Sequence, residues 1–183
     1  PGRRAALKRD ILEQALYCFI ELGVEATTIE AIKARCETSV GAIYHHFGNK
    51  EGILSALFFA AQDDQRQHLD RELANTNSLR EAVYSVICSY LDWVVANPEW
   101  ARFLYQARSA VAKGPFQEEL KDRNAKGFRE LKAKLLGFGN ESNSIVQPFE
   151  IVISLIVGPS ENYCKAWLAG RVQTSPRDYR EEF

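Results

Sequence analysis

Between Thr27 and Lys50 the chain gathers residue types suited to gripping a nucleic acid rather than to breaking bonds. Ser39, Gly41 and Ala42 are small and let a backbone come close to a large ligand. Tyr44, His45 and His46 follow, with groups that can reach phosphates or base edges. Asn49-Lys50 sets amides and a cation at the start of a helix, where unsatisfied N–H groups favour an anion. Nothing comparable points to catalysis: there is no nucleophile–base pairing, no H-E-x-x-H and no glycine-rich phosphate loop. No catalytic residue, cofactor or metal is therefore expected. Adjacent His45 and His46 point to different faces of a helix, and no third ligand lies near them in the sequence.

The elements that must hold these residues are helices. Strand signals are nearly absent and apolar residues recur at helical spacing, which predicts an all-α fold. A first helix is expected from about Leu7 to Leu22, burying Ile11, Ala15, Phe19 and Leu22, with Gly23 as a left-handed stop. A threonine of the Thr27-Thr28 pair caps a short second helix ending near Arg35. Ser39 caps a third, from Val40 to about His46, and Gly48-Asn49-Lys50-Glu51 ends it and opens a fourth that runs to about Leu73. A short helix, a tight turn and a second short helix have the scale of a helix-turn-helix, whose second helix enters the major groove. Ser78 caps a helix from Leu79 to Ala96, and Pro98 starts another to about Ala112. After Gly114-Pro115 a helix extends to about Leu136, and Gly137 to Ser144 reads as a flexible loop. A last long helix is expected from Val146 to Ala169, kinked at Gly158-Pro159, and Ser175-Pro176 opens a segment the chain barely enters.

The 183 residues are 46% apolar, enough for a real core, and the net charge is −1. Residues 1–50 carry seven Lys or Arg against six Asp or Glu, so any attraction to phosphate must be local. Arg3 and Arg4 suit a disordered tail somewhat better than an arm reaching the minor groove. Cys18, Cys36, Cys88 and Cys164 are widely spaced among apolar neighbours, as buried free thiols are, and fit a reducing cytoplasm. No stretch approaches the roughly 20 apolar residues of a membrane span. The chain contains no methionine, as a piece of a longer protein can.

Farther along, Trp93, Trp100, Phe103, Leu104, Phe128, Phe149 and Tyr163 suit a packed core first, and after that the walls of an apolar ligand site. Arg108 and Gln106 either orient a polar group of that ligand or lie on the surface. Ile151 to Val157 is apolar all round, so it must be covered on several sides. Ile151, Leu155, Val157 and Trp167 are the candidates to face a second subunit.

From Ile11 through Leu57 the sequence resembles the tetracycline-repressor (TetR) family. The resemblance rests on Phe19, Gly23, Thr27-Thr28-Ile29 and Ile32, on Ser39-Val40-Gly41-Ala42-Ile43-Tyr44-His45-His46-Phe47, on Asn49-Lys50-Glu51, and on Leu54 and Leu57. It implies a homodimeric repressor that binds a palindromic double-stranded DNA operator and releases it when a small-molecule effector enters the C-terminal body. Carried over by position, Thr28, Tyr44 and Lys50 contact phosphates, and Thr38, Val40, Gly41, Ala42 and His45 lie at or near the bases, with Ser39 among them. Residues 1–49 would be the DNA-binding head and 50–183 the ligand-binding and dimerisation body, with 50–73 the connecting helix. The last two long helices usually build the family's dimer interface, and here the final one is short. The chain departs from the pattern at Glu37, where the family usually has a turn glycine, and at Thr38, usually apolar. A positive φ at Glu37 would be strained, so a remodelled turn is expected. The negative charge there suits an alternative, a helical dimer with weakened DNA binding that acts through a protein partner.

Overall fold

The computed structural model describes residues 2–138 and 147–182. They form α1 (Arg3–Leu22), α2 (Ile29–Arg35), α3 (Val40–Phe47), α4 (Lys50–Leu73), α5 (Leu79–Ala96), α6 (Pro98–Lys113), α7 (Gln117–Leu136) and α8 (Phe149–Leu168). A 3-10 segment, Pro176–Glu182, follows. The described residues contain no strand, and the fold is all-α. None of the described helices is long and apolar enough to cross a membrane.

The bounds of α4 and α5 match their sequence signals, α6 ends one residue later than expected, at Lys113, and three others shift as well. Helix α1 starts at Arg3, four residues earlier than expected, so Arg3 and Arg4 belong to a helix rather than a tail. Helix α3 runs one residue farther, to Phe47. Among the described residues α8 starts at Phe149; Val146 and positions 139–144 of the expected loop lie outside them. Pro159 sits inside α8 without ending it.

The chain divides into two compact units, residues 1–62 with 99–120, and residues 63–98 with 121–183. The first unit is built on Ile11, Phe19, Ile32, Ile43, Ile53 and Phe103, all fully buried. Its short helices are too brief to be stable alone, so their ends are closed by side chains. Thr28 Oγ1 accepts the Ala31 amide at 3.1 Å, and Ser39 Oγ accepts that of Ala42 at 3.1 Å. Thr27 does a different job from its neighbour: it is buried, and its hydroxyl lies 3.0 Å from the Cys18 carbonyl and 2.7 Å from that of Gly23. Gly23 has φ 84° and ψ 163°, so the stop after α1 is an extended glycine conformation rather than the left-handed helical one expected.

In the second unit Leu73, Ala82, Val86, Leu135 and Phe149 form the buried cluster, with Ile153, Ile156 and Val157 packed on it. Trp93 is 2% exposed, so its indole N–H needs a partner, and it donates to Asp64 Oδ2 at 2.7 Å. Arg123 donates to both carboxylate oxygens of Asp63, at 3.0 and 3.1 Å. The 3-10 segment is tied to α5 by Arg177 and Arg180 on Asp92 and by Glu181, which accepts from the Tyr84 hydroxyl at 2.8 Å.

Candidate nucleic-acid interface

Helix α3 has two faces. Ile43 is fully buried and Val40 and Phe47 pack on the core of the first unit. Gly41, Tyr44 and His45 are exposed, Tyr44 to 48%. These three residues, spread over little more than one turn, thus stand on one side of a helix whose other side is held by Val40, Ile43 and Phe47. Thr28 and Ser39 are also exposed, whereas Thr38, Val40 and Ala42 are half-buried. The nine candidates therefore gather on and beside α3, though several spend their polar groups within the protein. Thr28 and Ser39 cap helices. Lys50 Nζ donates to the carbonyls of Val24 and Glu25, each at 3.1 Å, and ties the start of α4 to the loop after α1. Its ammonium has a third N–H to offer.

The exit from α3 is equally constrained. Gly48 takes φ 75° and its amide donates to the Tyr44 carbonyl at 2.8 Å. Asn49 Oδ1 accepts the Gly52 amide at 2.8 Å, capping α4. A Cβ on Gly52 would run into the Phe47 backbone carbonyl. Only a glycine lets the two helices meet this closely.

At Glu37 the chain avoids strain. No described non-glycine residue has positive φ, and α2 ends at Cys36 with φ −105° and ψ 143°. The extended residue is Cys36, next to Glu37, and Glu37 does without the positive φ that a turn glycine would take. Glu37 itself is exposed. Burial, then nearby Asp10 and Cys18, push the Cys36 thiol up to about 11, which keeps it neutral and unreactive in the turn.

Positive charge reaches α3 from α1, and sequence reasoning missed it. Lys8 Nζ stands 5.5 Å from the centre of the Phe47 ring. Burial, followed by His45, Arg4 and Lys8, holds the His46 imidazole below its ordinary range. The available signal was the four-residue spacing of Arg4 and Lys8, which puts both on one face once α1 is extended to include them. The His45 and His46 rings are 5.3 Å apart, edge to face, and no group of three potential metal ligands converges among the described residues.

The body candidates fall into the two units. Trp100, Phe103 and Leu104 belong to the core of the first, where Arg108 is exposed. Trp93, Phe128, Phe149 and Tyr163 belong to the second. There Phe128 and Phe149 meet edge to face at 5.2 Å, and Tyr163 donates to the Thr174 carbonyl at 3.1 Å. On α8, Ile151 is 48% and Leu155 69% exposed, while Val157 and Trp167 are half-buried.

The family model of bacterial regulatory proteins of the tetR family matches residues 11–57, the segment that carries this geometry. Over 80 residues the chain is 36% identical to the transcriptional repressor AcnR of Corynebacterium glutamicum, covering 44% of this chain and 40% of that protein. The first curated relatives are thus matched over about 40–52% of their length. The fold matches the fatty acid degradation regulator FadR of Bacillus halodurans, with TM-score 0.78 at 17% identity, over 100% of this chain and 93% of that one. It also matches FadR of Bacillus subtilis in complex with stearoyl-CoA, with TM-score 0.74 at 16% identity, over 95% and 94%. The capped α2–α3 pair, the outward face of α3 and the matched segment agree: residues 11–57 form a helix-turn-helix segment similar to that of bacterial regulatory proteins of the tetR family.

Proposed function

We propose that the chain is a ligand-responsive transcription regulator that binds operator DNA as a homodimer, with repression as its default action. One observation carries the reading: Gly41, Tyr44 and His45 face outward on α3 above a buried Ile43. Residues 1–49 act as the head and residues 50–183 as the body. Residues Thr28, Tyr44 and Lys50 hold phosphates, and Thr38 to Ala42 with His45 approach base edges. Ile151 and Leu155, exposed one turn apart on α8, support pairing with a second copy, since adjoining exposed apolar side chains mark interaction surfaces. A two-fold dimer sets its heads in successive major grooves, about 34–36 Å apart or a multiple of that.

The effector site belongs to the second unit in this reading. His68 Nε2 and Ser160 Oγ are buried there without a hydrogen-bond partner among the described residues, and a bound molecule would satisfy them. The Bacillus subtilis FadR structure holds stearoyl-CoA, which makes long-chain acyl thioesters the first effectors to try. Helix α4 runs from the end of α3 to Leu73 and is held by Asp64 to Trp93 and by Asp63 to Arg123. An effector shifts the spacing of the heads only through its different affinity for the two arrangements, a coupling of about 1–3 kcal/mol.

The test is DNA binding by anisotropy, using the DNA upstream of the chain's own gene. Tyr44→Phe combined with Lys50→Ala is expected to weaken binding to every DNA sequence and to flatten its salt dependence, by about 0.9 in the log–log slope per phosphate lost. A melting curve controls for the loss of the Lys50 bonds to Val24 and Glu25. Unchanged affinity and slope would remove the assignment. The alternative, action through a protein partner, is favoured by exposed Glu37; absence of any shift with that DNA in a gel would support it.

Acidity gives an independent reading. His46 titrates below its ordinary range in the free protein, and phosphate nearby would raise it, so binding takes up a proton. Affinity is therefore expected to be flat from about pH 7.5 upward and to rise as pH falls through the ordinary histidine range, about 6.5. His46→Gln should abolish the rise; a rise of the same size in that variant would refute the role of His46.

A further inference from the structure

We infer that the first unit holds a small-molecule site of its own, in the cavity between α1, α4 and α6, and that it takes an amphipathic cation with an aromatic body. The cavity measures about 410 Å³, within the usual range for ligand pockets of roughly 300–1,000 Å³. Its lining comes entirely from residues of the first unit, so it is separate from the effector site proposed above. Leu16 and Leu57 give it an apolar floor, and the rings of Tyr17 and Trp100 stand in its wall. Tyr17 is 36% exposed and Trp100 half-buried, so both rings keep a face for a ligand.

Charge decides the class of ligand. Glu13 on α1 and Glu99 on α6 line the cavity along with a single cation, Arg9. Arg9 and Glu13 are four residues apart on α1, yet none of these three makes an ion pair among the described residues. Two carboxylates against one guanidinium leave a net negative rim above an apolar floor. An ammonium or amidinium group at that rim gains both carboxylates, and a π face beneath it adds a cation–π contact. A carboxylate-bearing ligand of the same shape gains only Arg9 and meets two like charges.

Calorimetric titration of the intact chain, without DNA, tests the site with 2-(1-naphthyl)ethylamine as cation and 1-naphthylacetate as its anionic counterpart. The amine is expected to bind saturably, one per chain, at least about tenfold more tightly than the acetate. Glu13→Gln with Glu99→Gln should weaken the amine by about tenfold or more. Ala60→Phe, at an exposed α4 position lining the same cavity, should block it while leaving the helical circular dichroism signal intact. No saturable heat, equal affinity for the anion, or an amine affinity unmoved by the paired glutamine substitutions would overturn the inference. Because no DNA is present, failure here leaves the regulator reading standing, and failure of that reading leaves this one standing.

Discussion

Phe19→Ala is expected to lower the unfolding free energy by about 3–5 kcal/mol, the usual cost of emptying a fully buried aromatic site. Phe19 is 0% exposed and its ring lies 5.8 Å from that of Phe103, also 0% exposed, at the centre of the first unit. The surrounding groups, Ile11, Ile32 and Ile53, come from α1, α2 and α4 and cannot all collapse into the space. At about 2–4 °C per kcal/mol for a chain of this size, the melting temperature should fall by roughly 6–20 °C. Hydrogen exchange at the α2 and α3 amides should speed up with it, since both helices rest on this core. A loss below about 1 kcal/mol would mean that the core is not organised around Phe19.

Gly52→Ala is expected to cost both stability and DNA binding, against helix propensity. In an ordinary helix interior this change favours folding by about 1 kcal/mol. Here the new Cβ meets a backbone carbonyl, that of Phe47, which cannot rotate away as a side-chain end would. The end of α3 must move relative to α4, or the first turn of α4 must open and lose the Asn49 cap. Overpacking of this kind typically costs about 1–3 kcal/mol. Moving α3 also misplaces Tyr44 and His45, and a single lost base contact is worth about 1–3 kcal/mol, roughly tenfold or more in Kd. The check is the melting temperature together with anisotropy on operator DNA. A variant that melts higher than the parent and binds DNA equally well would show that the close approach is dispensable.

These expectations differ in where they could be read. Phe19 was visible as a buried position from its spacing with Ile11 and Ala15, because a helix places residues three and four apart on one face. Gly52 carried no such mark. Its importance comes from how close α3 comes to α4, and no local pattern encodes that distance. Lys50 shows the same split. The sequence identified it as a cation at the head of α4, but only the folded chain sets it against the carbonyls of Val24 and Glu25.

By itself the sequence determined the all-α class, the ends of α4 and α5, the caps at Ser39 and Ser78, a cap from the Thr27-Thr28 pair, and the segment whose face carries Tyr44 and His45. These follow from interactions spanning three or four residues, which a linear pattern records directly. Tertiary structure decided the rest: the burial of Thr27 against Cys18, the link from Trp93 to Asp64, the charge that Arg4 and Lys8 bring to α3, and the cavity bounded by α1, α4 and α6. Each of those joins residues that lie on different elements. Periodicity says which face a residue occupies, whereas the angle and distance at which two faces meet come from packing the whole core.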